Sequence, residues 1–191
     1  MTRHPPTVLD RLQTTRLLLA RMCAADFDDL DRMHHDPQVM ATLGGIRSAA
    51  ETRQILKGFL AHWDEHGFGS WVVRDMRSGH FAGRGGLRHV TVGSLAEVEV
   101  GYGFVPEFWG LGLATELARE SVRVGFTVLQ RTDLVSFTLT TNRASRRVME
   151  KAGFRYERDL IHANLPHVLY RLTVGTWQAT QRHAFPGGGS E

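Results

Sequence analysis

Apolar residues recur at helical spacing from Gly112 onward. Ala114, Ala118, Val122, Phe126 and Leu129 share one face, which predicts an amphipathic helix lying on a sheet. Just upstream the period falls to two. "AEVEVGYGF" sets Glu97 and Glu99 against Val98 and Val100, the alternation of a half-buried strand. With "SWVVRDM" and "HFAGRGGLRHVTV" before it, the middle of the chain reads as an antiparallel meander. Ahead of the meander, "TTRLLLARM" predicts a first strand and "CAADFDDLDRMHHD" a short helix stopped by Pro37. "SAAETRQILKGFLAHWDEHG" predicts a longer helix with its own start signal, Ser48 followed by Glu51, and a stop at Gly67. Beyond the central helix come a strand in "DLVSFTLT", a helix in "NRASRRVMEKAG" between Asn142 and Gly153, and a closing hairpin from "FRYERDL" and "HVLYRLTV". The predicted order is β-α-α-β-β-β-α-β-α-β-β.

At 191 residues, 42% apolar and 23% charged, the chain fits one globular α/β domain. The expected division is an extension over 1–11, a domain over 12–175 and a flexible tail over 176–191. No apolar run approaches the ~18 residues that a spanning helix needs, and the amino end lacks a signal-peptide pattern, so no membrane contact and a cytoplasmic location are expected. Cys23 is the only cysteine; a free buried thiol is expected, and a disulfide framework within the chain is excluded. The formal charge of +3 rests on scattered arginines, with Lys57 and Lys151 the sole lysines. The densest cluster, Arg143, Arg146 and Arg147, suits a small anionic ligand better than nucleic acid. "HHD" at His34 to Asp36, and His62 with His66, lack an accompanying carboxylate motif and read as core or solvated histidines, so no metal is expected.

One feature of the central helix resists a purely structural reading. Gly110 and Gly112 stand at its mouth, where the first N–H groups have no intrahelical partner and the macrodipole favours an anion. The glycines are either permissive backbone for a tight turn or bare amides meant to touch a phosphate. The spacing is not that of a nucleotide P-loop, which needs Lys-Ser/Thr after the last glycine. Nor is it a dinucleotide fingerprint, because the preceding strand belongs to a meander.

The run "FVPEFWGLGLATELARE" resembles motif A of the GNAT superfamily of N-acetyltransferases, occupied here by Trp109-Gly110-Leu111-Gly112-Leu113-Ala114. The Trp departs from the general pattern and is similar to the branch that acetylates ribosomal-protein amino termini, whose P-E-x-W-G-x-G-x-A-T-E is matched by Pro106, Glu107, Trp109, Gly110, Gly112, Ala114, Thr115 and Glu116. "TTRLLLARMCAADFDDL" resembles that branch's opening, with Thr15 where glutamate is more usual, and "NRASRRVMEKAGF" its second cofactor motif. The resemblance spans roughly residues 12 to 174. It implies a mixed, mostly antiparallel sheet with helices on both faces and two strands splayed around acetyl-CoA. It also implies that the amides of Leu111, Gly112, Leu113, Ala114 and Thr115 cradle the pyrophosphate, with Trp109 and Gly110 at the turn.

Acyl transfer to an amine needs a neutral amine, a polarised carbonyl and a way to discharge the thiolate. Gly101 and Gly103 suggest a bulge or a close backbone approach in the strand. By the resemblance, amides near Phe104 and Val105 serve the carbonyl and the pantetheine, Asn142 also binds pantetheine, and Ser145 faces the sulfur. Arg147 is placed on the cofactor side. Many superfamily members use a tyrosine for the thiolate where this chain has Met149, which cannot donate a proton. Glu99 is the preferred general base, with Glu97 and His89 as alternatives. The expected activity is acetyl transfer from acetyl-CoA to a primary amine, on a small molecule or a protein N-terminus, by direct attack in a ternary complex. The competing reading is a non-catalytic acyl-CoA-binding sensor or scaffold. A monomer and a homodimer fit equally well.

Overall fold

The computed structural model describes residues 8–184. Its elements run β1 (Arg11–Gln13), β2 (Leu17–Arg21), α1 (Phe27–His35), α2 (Pro37–Met40), α3 (Ala49–His66), β3 (Ser70–Asp75), β4 (Phe81–Val92) and β5 (Leu95–Phe104). They continue with α4 (Leu113–Thr127), β6 (Asp133–Leu139), α5 (Arg143–Lys151), β7 (Arg155–His162), β8 (Leu165–Thr173) and α6 (Val174–Ala184). The strands form one sheet in the order β1-β2-β3-β4-β5-β6-β8-β7. All neighbours are antiparallel except β5 and β6, which run parallel and meet at a single pair, Glu99 with Val135.

Helices cover both faces of this sheet. A Cβ at Gly85 would lie 2.7 Å from Leu117 of α4, whereas one at Gly103 would lie 2.7 Å from Met33 of α1 and 3.0 Å from Leu43. Gly85 pairs with Tyr102, so Gly103 points to the opposite face. The larger core joins Leu117, Ala118 and Val122 of α4 to Val98 and Val100 of β5 and Leu134 of β6. A smaller one places Met33, Val39 and Met40 on Val72 of β3. α3 begins and ends as its sequence requires: Ser48 and Glu51 form a reciprocal capping box, and Gly67 closes the helix at φ 71°.

Several expectations are corrected. From Glu97 to Val100 β5 is buried on both faces, because Arg88 of β4 and Arg171 of β8, two strands away, pair with the two carboxylates. Gly101 and Gly103 make no bulge against β4, whose register runs unbroken past them; Gly103 admits close approach of Met33 and Leu43, and Gly101 leaves space beside the Glu99 carboxylate. The Cys23 thiol is exposed. The extension is tied in from Leu9, which is buried and whose carbonyl accepts a hydrogen bond from Trp71 Nε1 at 2.8 Å. The tail expected to be loose is helical to Ala184, while its last residues lie outside those described. Its anchor is Trp177, half-buried against Phe126 with ring centroids 5.3 Å apart.

Replacing Trp177 with alanine is expected to destabilise the fold by about 1–3 kcal/mol, less than for a fully buried aromatic. Urea unfolding checks this; an unchanged midpoint would make α6 a passenger.

Candidate active site

Ten register pairs join β5 to β4 and seven join β6 to β8. Only the Glu99–Val135 pair joins β5 to β6, so the two halves of the sheet diverge beyond it. Hydrogen-bonded pairs alternate along an antiparallel ladder. Val105 N–H donates to Ala82 O at 3.0 Å, so the odd-numbered residues at this end of β5 direct their amides to β4. The even-numbered ones turn theirs toward β6. Ser136 Oγ donating across to Val100 O at 2.8 Å closes the near end of the gap. Past that point the N–H groups of Tyr102 and Phe104 face open space between the strands.

The mouth of α4 lies at the same gap. Gly110 and Gly112 adopt φ of 73° and 78°, the left-handed region that other residues enter only with strain. No side chain caps the helix at Gly112, and the first intrahelical bond is from Glu116 N–H to Gly112 O. The amides of Leu113, Ala114 and Thr115 therefore have no intrahelical acceptor. The loop is held from outside. Arg16 donates through Nη1 to Leu111 O and through Nε to Glu116 Oε2, at 2.8 and 2.7 Å, while Thr14 Oγ1 donates to Glu116 Oε1 at 2.6 Å. These bonds hold Glu116's carboxyl below its ordinary value, against the opposing effect of burial. The departure at Trp109 has a local reason as well: its indole N–H donates to Phe104 O at 2.7 Å, which folds the Pro106–Phe108 turn back on β5.

The start of α5 faces the gap from the β6 side. Asn142 caps the helix by accepting from Ser145 N–H at 3.0 Å, which leaves its side-chain amide group as a donor. Tyr102 reaches across from β5, and its hydroxyl lies 3.1 Å from both Ser145 O and Ser145 Oγ. Burial, above all, raises the Tyr102 pKa, so the phenol remains a donor.

On the α1 side the same cavity, of about 1130 Å³, reaches Glu99. Oε2 of Glu99 accepts from Arg88 Nε at 2.5 Å. Oε1 lies 3.4 Å from where a Cβ at Gly101 would stand, over bare backbone. The two alternative bases fare differently. Glu97 is gripped by Arg171 through bonds of 2.8 and 3.2 Å and lies outside the cavity lining. His89 lines the cavity, with its pKa lowered by burial first. His89 also gathers with His62 and His66, their ligand atoms within 4.8 Å of one another. His62 Nδ1 bonds Phe68 O, however, so Nε2 carries its lone pair and already accepts His89 N–H at 3.0 Å. His62 thus has no lone pair free for a cation.

All the sequence-predicted site residues line this one cavity except Val105 and Leu111. Val105 commits its amide to the sheet, and Leu111 presents its carbonyl to Arg16. The missed contributors are Tyr102, Arg84 and Arg88. The alternation of β4 with β5 placed the two arginines opposite Gly103 and Glu99, but their contacts depend on which helices cover the strand.

A family model described as an acetyltransferase (GNAT) domain matches residues 16–155. The chain is 28% identical over 162 residues to the protein YkkB of Bacillus subtilis, covering 82% of this chain and 94% of that one. It is 31% identical over 154 residues to an FsC-acetyl coenzyme A-N(2)-transacetylase of Aspergillus fumigatus, covering 76% of this chain and 65% of the relative. Among solved structures, aminoglycoside acetyltransferase AAC(6')-Ib in complex with coenzyme A superposes with a TM-score of 0.72 at 20% identity, over 86% of this chain and 99% of that one. The chain belongs to the GNAT family of acetyltransferases, and its chemistry is that of an acyltransferase. The likeness to the branch acting on ribosomal-protein termini carries no further weight than the motif itself.

His34, buried at the cavity edge with Nδ1 3.1 Å from Thr52 Oγ1, has its pKa lowered to about 4 by burial first and then by the charges of Arg84 and Arg47. An unfolded imidazole near 6.5 binds more protons than this one, so stability should fall as pH drops from about 6.5 to 4, by roughly 2–3 kcal/mol. Melting curves across that range check it. In His34→Asn this part of the slope should vanish.

Proposed function

We propose that the cavity binds acetyl-CoA between β5 and β6, with its diphosphate at the mouth of α4, and transfers the acetyl group to a primary amine entering from the α1 side. The observation that carries the reading is the convergence in one cavity of the uncapped glycine turn and the unpaired amides of β5. Both are backbone donors in need of acceptors, as a diphosphate and a pantetheine amide supply. A protein of the same fold has been solved with coenzyme A, which supports this. Arg147 and Lys151, on the same lining, offer charge to the remaining phosphate.

Acetyl-CoA supplies an acyl carbon activated as a thioester. The N–H groups of Tyr102 and Phe104 stand about 6.5 Å apart along the strand, so one polarises the acyl carbonyl and the other holds the pantetheine, the pair of roles expected of Phe104 and Val105. Glu99 Oε1 takes the ammonium proton through water, while Arg88 holds the other carboxylate oxygen and fixes the rotamer. Ser145 Oγ donates to the departing sulfur, oriented by the Tyr102 hydroxyl. Tyr102 thus supplies, from β5, a phenol in the region where Met149 leaves none. Its role is to position the serine.

Gly112→Val should abolish the stabilisation by acetyl-CoA, which at ~100 times its dissociation constant amounts to about 2.7 kcal/mol in the parent. Differential scanning with and without acetyl-CoA reads this directly; a full ligand-dependent rise in the variant would remove the phosphate assignment.

Glu99→Gln is expected to lower kcat/KM by about 100-fold or more near neutral pH, with partial recovery as pH rises and free amine accumulates. Ser145→Ala should slow the chemical step at unchanged acetyl-CoA affinity, because Tyr102 keeps its bond to the backbone carbonyl. Thiol-release kinetics over a pH series separate the two; a loss under about threefold at either position, with chemistry limiting, removes that residue from the mechanism.

A further inference from the structure

Arg84 is out of place for a residue with nothing to bind. It projects from β4 opposite Gly103, where no side chain faces it, and its guanidinium carbon lies 5.2 Å over the Phe59 ring. Nε is buried without an acceptor, and among the described residues Arg84 makes no ion pair. Burial, and next the charge of Arg88, lower its pKa to about 10, so it remains a cation at neutral pH. Leaving a guanidinium desolvated and unpaired is expensive, and folded proteins keep such groups where a ligand supplies the counter-charge.

The charge of Glu99 acts on Arg84 without an ion pair forming between them. The one acidic side chain in the cavity lining, Glu99, is already paired with Arg88. Arg47 lines the same end and likewise has no ion-pair partner among the described residues. Arg47, Arg84 and His34 line one cavity, and the charges of both arginines act on the His34 ring. Beneath that space Gly101 leaves bare strand beside Glu99, with room there for a small acceptor, whereas Met33 and Leu43 close over Gly103. The acceptor end therefore carries three guanidiniums, of Arg47, Arg84 and Arg88, against one lining carboxylate. A polyamine or aminoglycoside, with further ammonium groups to place, would meet repulsion there.

We infer that the acceptor is a small primary amine carrying an anionic group, a carboxylate or a phosphate, which Arg84 and Arg47 hold while Glu99 receives the proton of the amine. This rests on the acetyl-transfer reading above and narrows its substrate class. A planar guanidinium suits either oxyanion through two parallel hydrogen bonds.

The test uses the purified full chain, acetyl-CoA and matched acceptors: amino acids against their amides, O-phosphoethanolamine against ethanolamine, and spermine as the cationic extreme. The anionic member of at least one pair should exceed its neutral partner by about 10- to 100-fold in kcat/KM, as expected for a charge-assisted bond, with spermine the poorest. Arg84→Gln should erase that preference by raising KM for the anionic acceptor at least about 10-fold more than for its neutral partner, and Arg84→Lys should restore part of it. The deaminated acid of the best acceptor should inhibit the parent competitively against amine and not against acetyl-CoA, which decides the matter if the Arg84 variants do not fold. If no acceptor turns over while acetyl-CoA binds, the anionic compounds alone should raise the melting temperature of the acetyl-CoA complex. Preference for neutral or cationic amines, a preference untouched by Arg84→Gln, absent competition, or no anion-dependent rise overturns this inference alone. Absence of both acetyl-CoA binding and thiol release overturns the transfer reading itself.

Discussion

The divergence of β5 from β6 is the constraint on which the rest of the molecule depends. Each strand is locked to its other neighbour by a long antiparallel register, and the two share one pair before they part. An open seam inside a sheet leaves amides without partners, which a folded protein tolerates only where water or a ligand completes them. The helices then follow: α4 and α5 both begin beside the seam, so the free N-terminal amides of α4 and the side-chain amide of Asn142 add to the donors of β5. A cavity with donors on three sides results, with little demand on side-chain chemistry for holding an anionic, amide-rich ligand.

The loop before α4 shows how such a site is kept in shape without being filled. Glycines at positive φ present no Cβ to the ligand, but they also surrender rigidity. Rigidity returns through Glu116, whose carboxylate gathers Thr14 and Arg16, and through Arg16, which holds the Leu111 carbonyl. Trp109 pins the other flank to Phe104 O. Within the motif, Trp109 and Glu116 thus fix the geometry of the glycine turn.

Charge is arranged differently at the two ends of the cavity. At the α4 end the positive potential is mostly backbone dipole, assisted by Arg147 and Lys151. At the α1 end it comes from the guanidiniums of Arg88, which pairs with Glu99, and of Arg47 and Arg84, whose charges depress the pKa of His34.

The sequence by itself determined the order of elements, the capped ends of α3 and α5 and the place of the glycine turn, because these rest on local periodicity and on backbone preferences carried by single residues. It also marked Glu99, Asn142 and Ser145 by position within motifs. It misjudged the exposure of β5, the state of Cys23 and the packing of α6, since each depends on what a distant segment lays against it. Pairing along β4 and β5 settled the amide question that composition could not touch: a shift of one residue turns an N–H from β4 to the seam, which is why Phe104 keeps its candidate role and Val105 does not. Only the tertiary structure brought Tyr102 to Ser145 across 43 residues and left Arg84 opposite a glycine with its Nε buried and unbonded, because long-range register and helix placement, rather than any local pattern, decide which charges find partners.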